Sequence, residues 1–349
     1  MSHKIFCVGL NGKPGNLEAI LERYASHIHE VFVAVPPYLM GSGRAGADPL
    51  TLDKMAKQTE IAHGAGVGYN VLLNAVCLGG RQFHRNFQKQ LYEFLECVCE
   101  ANVDALTIAD PFILQKAVAF RKSKGAEFTI CVSSLADLTE AVSAKRYEDM
   151  GPDRIVLHQN VNRDFQAIRQ IQEAVSCELE LYANTGSLYK CPYRQAHRAY
   201  ISHLSILTSE QLKEPENYNW FKANCISIRK KNPLEIIMAP TIRPEDLHYY
   251  EELGVRLFKI SSRTMTTEWV TRVLSTYVNR SFNGSLPDLC DTNLGRDMPW
   301  IDNKMLDGLL EFIQSRCNDV DYDYEACCRK FFHERIHPDI QIAHRRHQL

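Results

Sequence analysis

The stretch 185–233, TGSLYKCPYRQAHRAYISHLSILTSEQLKEPENYNWFKANCISIRKKNP, gathers Cys191, Cys225, His197 and His203 with a run of aromatic and arginine side chains. Thiols and imidazoles concentrated in one segment suit metal ligation or nucleophilic chemistry, because both need several donors brought to one point. The chain has 12 cysteines. In a reducing compartment such an excess reads as metal binding or chemistry sooner than as disulfides. Cys7, Cys77 and Cys131 sit inside apolar runs, and Cys97 and Cys99 inside a helical pattern, so these five read as core. Cys177 precedes a strand and reads as structural. An iron-sulfur centre would draw on Cys191 and Cys225 together with Cys290, Cys317, Cys327 or Cys328. A zinc site and a metal-free lid remain open alternatives.

A second group of candidates lies at the ends of apolar runs: Asn74, Asp110, His158 with Asn160, Asn184, and Lys259 with Arg263. Asn74, Asp110, His158, Glu180 and Asn184 are candidate catalytic groups. Lys259 falls within an apolar run, where an unpaired ammonium is expensive to bury. With Arg263 and the Arg243 of IRPED it would make a cationic wall suited to a carboxylate, which arginine grips bidentately. Other readings stand beside these: turn caps for Asn74 and Asn184, a hydrogen-bonded core histidine for His158, and internal pairing of Asp110 and Glu180 with the cations.

The elements that must position these residues follow from periodicity. Nine short apolar runs read as strands: 4–10, 30–36, 69–77, 105–110, 128–133, 154–160, 179–184, 235–240 and 256–261. Amphipathic stretches at 17–26, 50–64, 82–101, 113–124, 136–149 and 164–175 alternate with them. Strands apolar on both faces and separated by single helices demand a parallel sheet, and this many units favour closure into a (β/α)8 barrel of the TIM type. One late strand candidate is then supernumerary and belongs to a loop. The expected organisation is a barrel over 1–285, including the 185–233 insertion after the seventh strand, and a C-terminal extension over 286–349. A loop that follows a barrel strand lies at the C-terminal face, so the insertion should roof the site. The GSGR at 41–44 reads as a turn, since no phosphate loop of Rossmann or P-loop spacing follows a strand.

Composition excludes several classes. Lys+Arg (40) nearly balances Asp+Glu (42), and this net charge of -2 gives no global field for a polyanion, so nucleic acid is disfavoured as main partner. The first apolar run is too short for a signal peptide or a membrane span, which predicts a cytoplasmic protein with no membrane partner. No HExxH helix and no local cysteine- or serine-peptidase signature is present.

The block LELYANTGSLYKCPYRQAHRAYISH, followed by TIRPEDLHYYEELGVRLFKISSR and TEWVTRVLSTYVNRSFNGSLPDL, resembles the collagenase-like peptidase family, peptidase U32-like, and the resemblance reaches back more weakly to the first strand. It implies a barrel carrying a 4Fe-4S cluster held by cysteines of the loop after strand seven and beyond. It also implies a role in oxygen-independent hydroxylation of a ubiquinone precursor or RNA, with prephenate as oxygen donor in hydroxylating members. The cysteine that relatives carry four residues before the CP dipeptide is Ser187 here, and none stands near Ile242 and Arg243. Cys327, whose place in YEAC resembles the cysteine-rich tails of relatives, joins Cys191 and Cys225 as the expected metal ligands. The expected function is an iron-sulfur-dependent hydroxylation-type enzyme with an acidic small-molecule ligand. The alternatives are a catalytically degenerate barrel paired with a homologous subunit, a peptide-modifying enzyme gripping its substrate with the lid from Tyr193 to Trp220, and a peptidase.

Overall fold

The computed structural model describes residues 4–46, 48–291, 298–316 and 323–336. Eight strands run β1 (Phe6–Gly9), β2 (Ile28–Ala34), β3 (Gly68–Leu73), β4 (Ala105–Ile108), β5 (Thr129–Val132), β6 (Arg154–Val156), β7 (Glu178–Tyr182) and β8 (Leu257–Ile260). They pair in parallel in chain order, and β8 closes onto β1 with Cys7 opposite Lys259. Between the first seven strands lie α1 (Asn16–Tyr24), α2 (Leu52–Gly64), α3 (Arg85–Glu100), α4 (Pro111–Lys124), α5 (Ala141–Glu148) and α6 (Phe165–Ala174). The β7–β8 connection carries α7 (Arg194–Leu204), α8 (Trp220–Lys231), α9 (Leu234–Met238) and α10 (Leu247–Glu252); α11 (Thr267–Val278), α12 (Leu309–Arg316) and α13 (Tyr324–Arg335) follow. The fold is a TIM barrel.

The run 235–240 corrects the strand expectation. It forms α9, entered through Pro233, whose fixed φ suits a helix start. A closed barrel offers no free edge for a ninth strand, so Leu234, Ile236, Ile237 and Met238 bury themselves as a helix.

Strand alternation divides the core into two. Phe6, Val8, Val31, Val33, Val71 and Leu73 face outward into the large cluster shared with the helices. Cys7, Phe32, Leu72 and Leu257 face inward as a small separate cluster. The rest of the interior is charged or polar: Glu30, Asn70, Thr107, Arg154, Glu180 and Lys259 are all buried. Arg154 Nη1 lies 2.9 Å from Glu30 and 3.5 Å from Glu180, Lys259 Nζ lies 3.6 Å from Glu180, and Asn70 donates to Glu30 at 2.7 Å. Burial alone would raise the Glu30 carboxyl, but Arg154 and Asn70 hold it below its ordinary value. This layer neutralises itself and forms the floor beneath the mouth.

Candidate active site at the barrel mouth

A cavity of about 500 Å³ opens at the C-terminal ends of the strands, floored by Phe32, Thr107 and Lys259 and roofed by α7 and α8. Helix α7 is fastened at both ends. Arg198 and Gln195 bond the Asp137 carboxylate, whose residue holds a left-handed backbone (φ 59) at the end of the β5 loop. At the far end, Ser202 Oγ accepts from Val76 N at 3.0 Å and Ser205 Oγ from Ser42 N at 2.7 Å. A side chain on Gly41 would collide with the Ser202 carbonyl, so only glycine permits this approach.

Six basic residues, Arg44, Arg194, Arg198, Lys222, Lys259 and Arg263, line the cavity, and no described lining residue is a carboxylate. Three of the six are answered from behind: Arg44 by Asp291, Arg198 by Asp137 and Lys259 by Glu180. Arg263 is 4% exposed, and its one hydrogen bond is to Ser42 Oγ at 3.4 Å, with Nε unpartnered. Burial, and then the neighbouring Arg44, push its pKa down to about 9. Arg194, held by the Leu188 carbonyl and Asn160, is likewise pushed down to about 10, by burial and then Arg198. A buried guanidinium without a carboxylate is costly, and a bound anion would relieve that cost.

Two further residues complete the wall: Tyr182, which the sequence did not single out, and His197 of the lid segment. Tyr182, at the end of β7, donates its hydroxyl to Asp291 and accepts from Arg44 Nη2 at 3.0 Å. His197 on α7 stacks on Phe221 with ring centroids 5.3 Å apart, and burial followed by Arg44 lowers its pKa to about 4. Position after strand seven was the available signal for Tyr182; helical spacing of Arg194, His197 and Arg198 was the signal for the lid face.

The expected site residues separate. Lys259 and Arg263 line the cavity, as does Asn74, whose carboxamide accepts from Gly43 N at 3.1 Å. Glu180 lies just beneath, as the partner of Lys259 and Arg154. His158 stands behind the wall: its Nδ1 accepts from Asn160 N, its Nε2 is 3.2 Å from Asp137, and burial, followed by Arg198, lowers its pKa to about 2. Asn184 clips β7 to β8, donating to the Ser261 carbonyl at 2.9 Å and accepting from Ser261 N at 2.8 Å. Asp110 is the N-cap of α4, accepting from Phe112 N and Ile113 N, and does not line the cavity. Arg243 also departs from expectation. It bonds Asn303, the Leu306 carbonyl and Asp307, with Glu245 and Asp246 within 3.8 Å, so it belongs to a structural ion network away from the mouth. Proline after Arg243 turns the chain into a short helical segment before β8, which aims this side chain toward 303–307 instead.

Cys191 and Cys225 both line the cavity, beside Ser187. Arg229, fully buried, contacts Cys225 Sγ and the Gly186 carbonyl. Cys327 sits in α13, which packs against α9 and α12, and does not line the cavity; Cys317 lies outside the described residues. Cys290 is buried 3.8 Å from Thr241 Oγ1, and burial pushes its thiol up to about 11. Among the described residues the cavity lining thus offers two thiols, short of the four that a 4Fe-4S cluster takes. The described residues bring three metal-type donors together only at Cys7, Glu30 and Glu180, where Arg154 and Lys259 already supply the positive charge. Among possible peptidase pairs, Cys77 Sγ lies 3.3 Å from His203 Nε2, but outside the cavity lining, and no described group orients the exposed imidazole.

These features define a TIM barrel whose roofed mouth carries six basic side chains. The profile of peptidase family U32 matches residues 15–210. An uncharacterized protease of Methanocaldococcus jannaschii is 32% identical over 307 residues, covering 87% of this chain and 88% of that protein. The chain belongs to peptidase family U32. It is also similar to tRNA hydroxylation protein P1 of Bacillus subtilis, 22% identical over 276 residues, covering 75% of this chain and 60% of that protein. The corresponding protein P2 is 28% identical, covering 41% of this chain and 44% of that protein. A solved U32 peptidase structure shares the fold with a TM-score of 0.55 at 18% identity, covering 75% of this chain and 93% of that one. No helix among the described residues is long and apolar enough to cross a membrane.

Proposed function

We propose that this chain serves a hydroxylation-related modification by binding a small carboxylate-bearing compound in the barrel mouth. The observation that carries the reading is Arg263, a buried cation without a described carboxylate partner in a cavity whose lining holds six basic residues and, among the described residues, no carboxylate. A carboxylate there would take paired charge-assisted hydrogen bonds from Arg263. Arg44, held by Asp291 and Tyr182, stands ready as a fixed second donor. Lys259 adds a third basic group at the floor, and the cover of α7 and α8 lowers the local dielectric, which strengthens each contact. His197, neutral at physiological pH, is the group in the cavity able to accept a substrate proton. The similarity to tRNA hydroxylation proteins supports the choice of reaction class.

Iron-sulfur dependence finds no complete ligand set in the lid, so no step is derived through a cluster. The named pair P1 and P2 supports a second component, and a homologous barrel subunit is the partner this reading favours. Titration calorimetry with a series of small mono- and dicarboxylates, each beside its neutral amide, tests the binding claim. Carboxylates should bind, and the amides should not. Arg263→Gln should weaken carboxylate binding by about 10- to 100-fold, the worth of a bidentate charged contact. Equal affinity for acid and amide, or unchanged affinity in the variant, would sink the reading.

A further inference from the structure

We propose that Lys259 forms an imine with the carbonyl carbon of a 2-oxo acid held in the barrel mouth. The inference rests on the anion-binding reading above and specifies the substrate class and the reacting atom.

Lys259 sits on β8 and is 7% exposed, with its ammonium 3.8 Å above the Phe32 ring and 3.6 Å from Glu180 Oε1. Neither Lys259 Nζ nor Glu180 Oε1 makes a hydrogen bond. Lys259 at the floor of the cavity and Glu180 just beneath it thus form an ion pair without a hydrogen bond, which sets one nucleophile beside one proton acceptor. Arg263 follows just past the same strand, and its stem and the Phe32 ring both lie close to Gly9. A Cβ on Gly9 would come within 2.9 Å of the ring and 3.2 Å of Arg263 Cγ, so glycine is what lets both approach. The carboxylate of a 2-oxo acid is bonded directly to its carbonyl carbon. With the carboxylate on Arg263, the carbonyl falls on the side of the cavity floored by Lys259 and Phe32. A ligand anion alone would require only the guanidinium, whereas the paired, hydrogen-bond-free Lys259 and Glu180 are an amine and a base.

The step balances without any redox partner. Glu180 takes a proton from the Lys259 ammonium, and the free amine adds to the carbonyl carbon to give a carbinolamine. Glu180 then returns the proton to the carbinolamine hydroxyl, which leaves as water while the nitrogen lone pair forms the C=N bond. The imine withdraws electrons from the neighbouring carbon, and neutral His197 in the roof can receive a proton from it.

The experiment treats the full chain with pyruvate or 2-oxoglutarate and borohydride, then maps modified peptides by mass spectrometry, while calorimetry measures binding of the same acids without reductant. The expected result is binding and a reduced adduct on the Lys259 peptide. Lys259→Arg keeps a cation at the floor but cannot form an imine, so the adduct at this position should be lost. Glu180→Gln should bind the acid and label more slowly. Binding with no adduct, or labelling confined to other lysines such as Lys222, overturns the imine and leaves the anion reading intact. No binding of any carboxylate overturns the anion reading, and the imine with it.

Discussion

The network around Arg243 and the barrel mouth around Arg263 bury two arginines to similar depth, 1% and 4% exposed, with opposite outcomes. Arg243 is surrounded by Asn303, Asp307, Glu245 and Asp246, and its donors are engaged by the chain itself. Arg263 has a serine hydroxyl at 3.4 Å and a neighbouring arginine. The difference separates a charge that stabilises the fold from one kept for something outside it. A buried ion pair loses several kcal/mol when one partner is removed, whereas removing a buried charge without a partner costs the fold little.

The largest expected effect falls on the structural side of that contrast. Arg243→Ala should destabilise the protein by about 3–5 kcal/mol in urea unfolding, because it strands buried carboxylate and amide groups. Arg263→Ala should change stability by less than about 1 kcal/mol while removing carboxylate affinity. Equal stability losses in the two variants would erase the distinction.

A smaller effect depends on pH. His158 is held neutral in the fold, its pKa lowered to about 2, while in the unfolded chain it titrates near its ordinary value of 6.5. Between these values the unfolded state binds the extra proton, so this contribution to stability is complete above pH 6.5 and is lost as pH falls. The slope is about 1.4 kcal/mol per unit, or about 2 kcal/mol by pH 5. His158→Asn should flatten the profile in that window; an unchanged slope would show that the wall behind the mouth is not where the proton goes.

Asp110 tests the scaffold away from both regions. Asp110→Ala removes the cap of α4 and should cost about 1 kcal/mol in thermal or urea melts, with carboxylate affinity unchanged. A fall in affinity would return Asp110 to the site. The smallest effect concerns the lid cysteines. Anaerobically purified protein should show no broad absorption near about 400 nm, and Cys191→Ser and Cys225→Ser should keep carboxylate binding. A stoichiometric iron-sulfur chromophore would overturn the reading that the two lid thiols fall short of a cluster's ligand set.

Much of the scaffold was legible. Eight of the nine apolar runs contain a strand, and the interruption after LYAN is the β7–β8 connection that roofs the mouth. The run EIIMAP became α9 because periodicity cannot separate a short buried helix from a strand, and barrel closure decided between them. The site was legible in part. Lys259 and Arg263 were marked by cations in an apolar context. Arg243, read as a third cation of the wall, pairs instead with Glu245 and Asp246 beside it in IRPED and with Asn303 and Asp307 some sixty positions downstream. Tyr182 and Arg44 were passed over because each joins the mouth through long-range contacts to Asp291.

The sequence by itself determined the βα rhythm, the closed barrel and the insertion at its C-terminal face, because hydrophobic period and loop length are local properties of the chain. Only the tertiary structure decided which buried cations are neutralised. That depends on distances between side chains from different strands and loops, on which Coulomb energy and desolvation act and of which the order of residues carries no record.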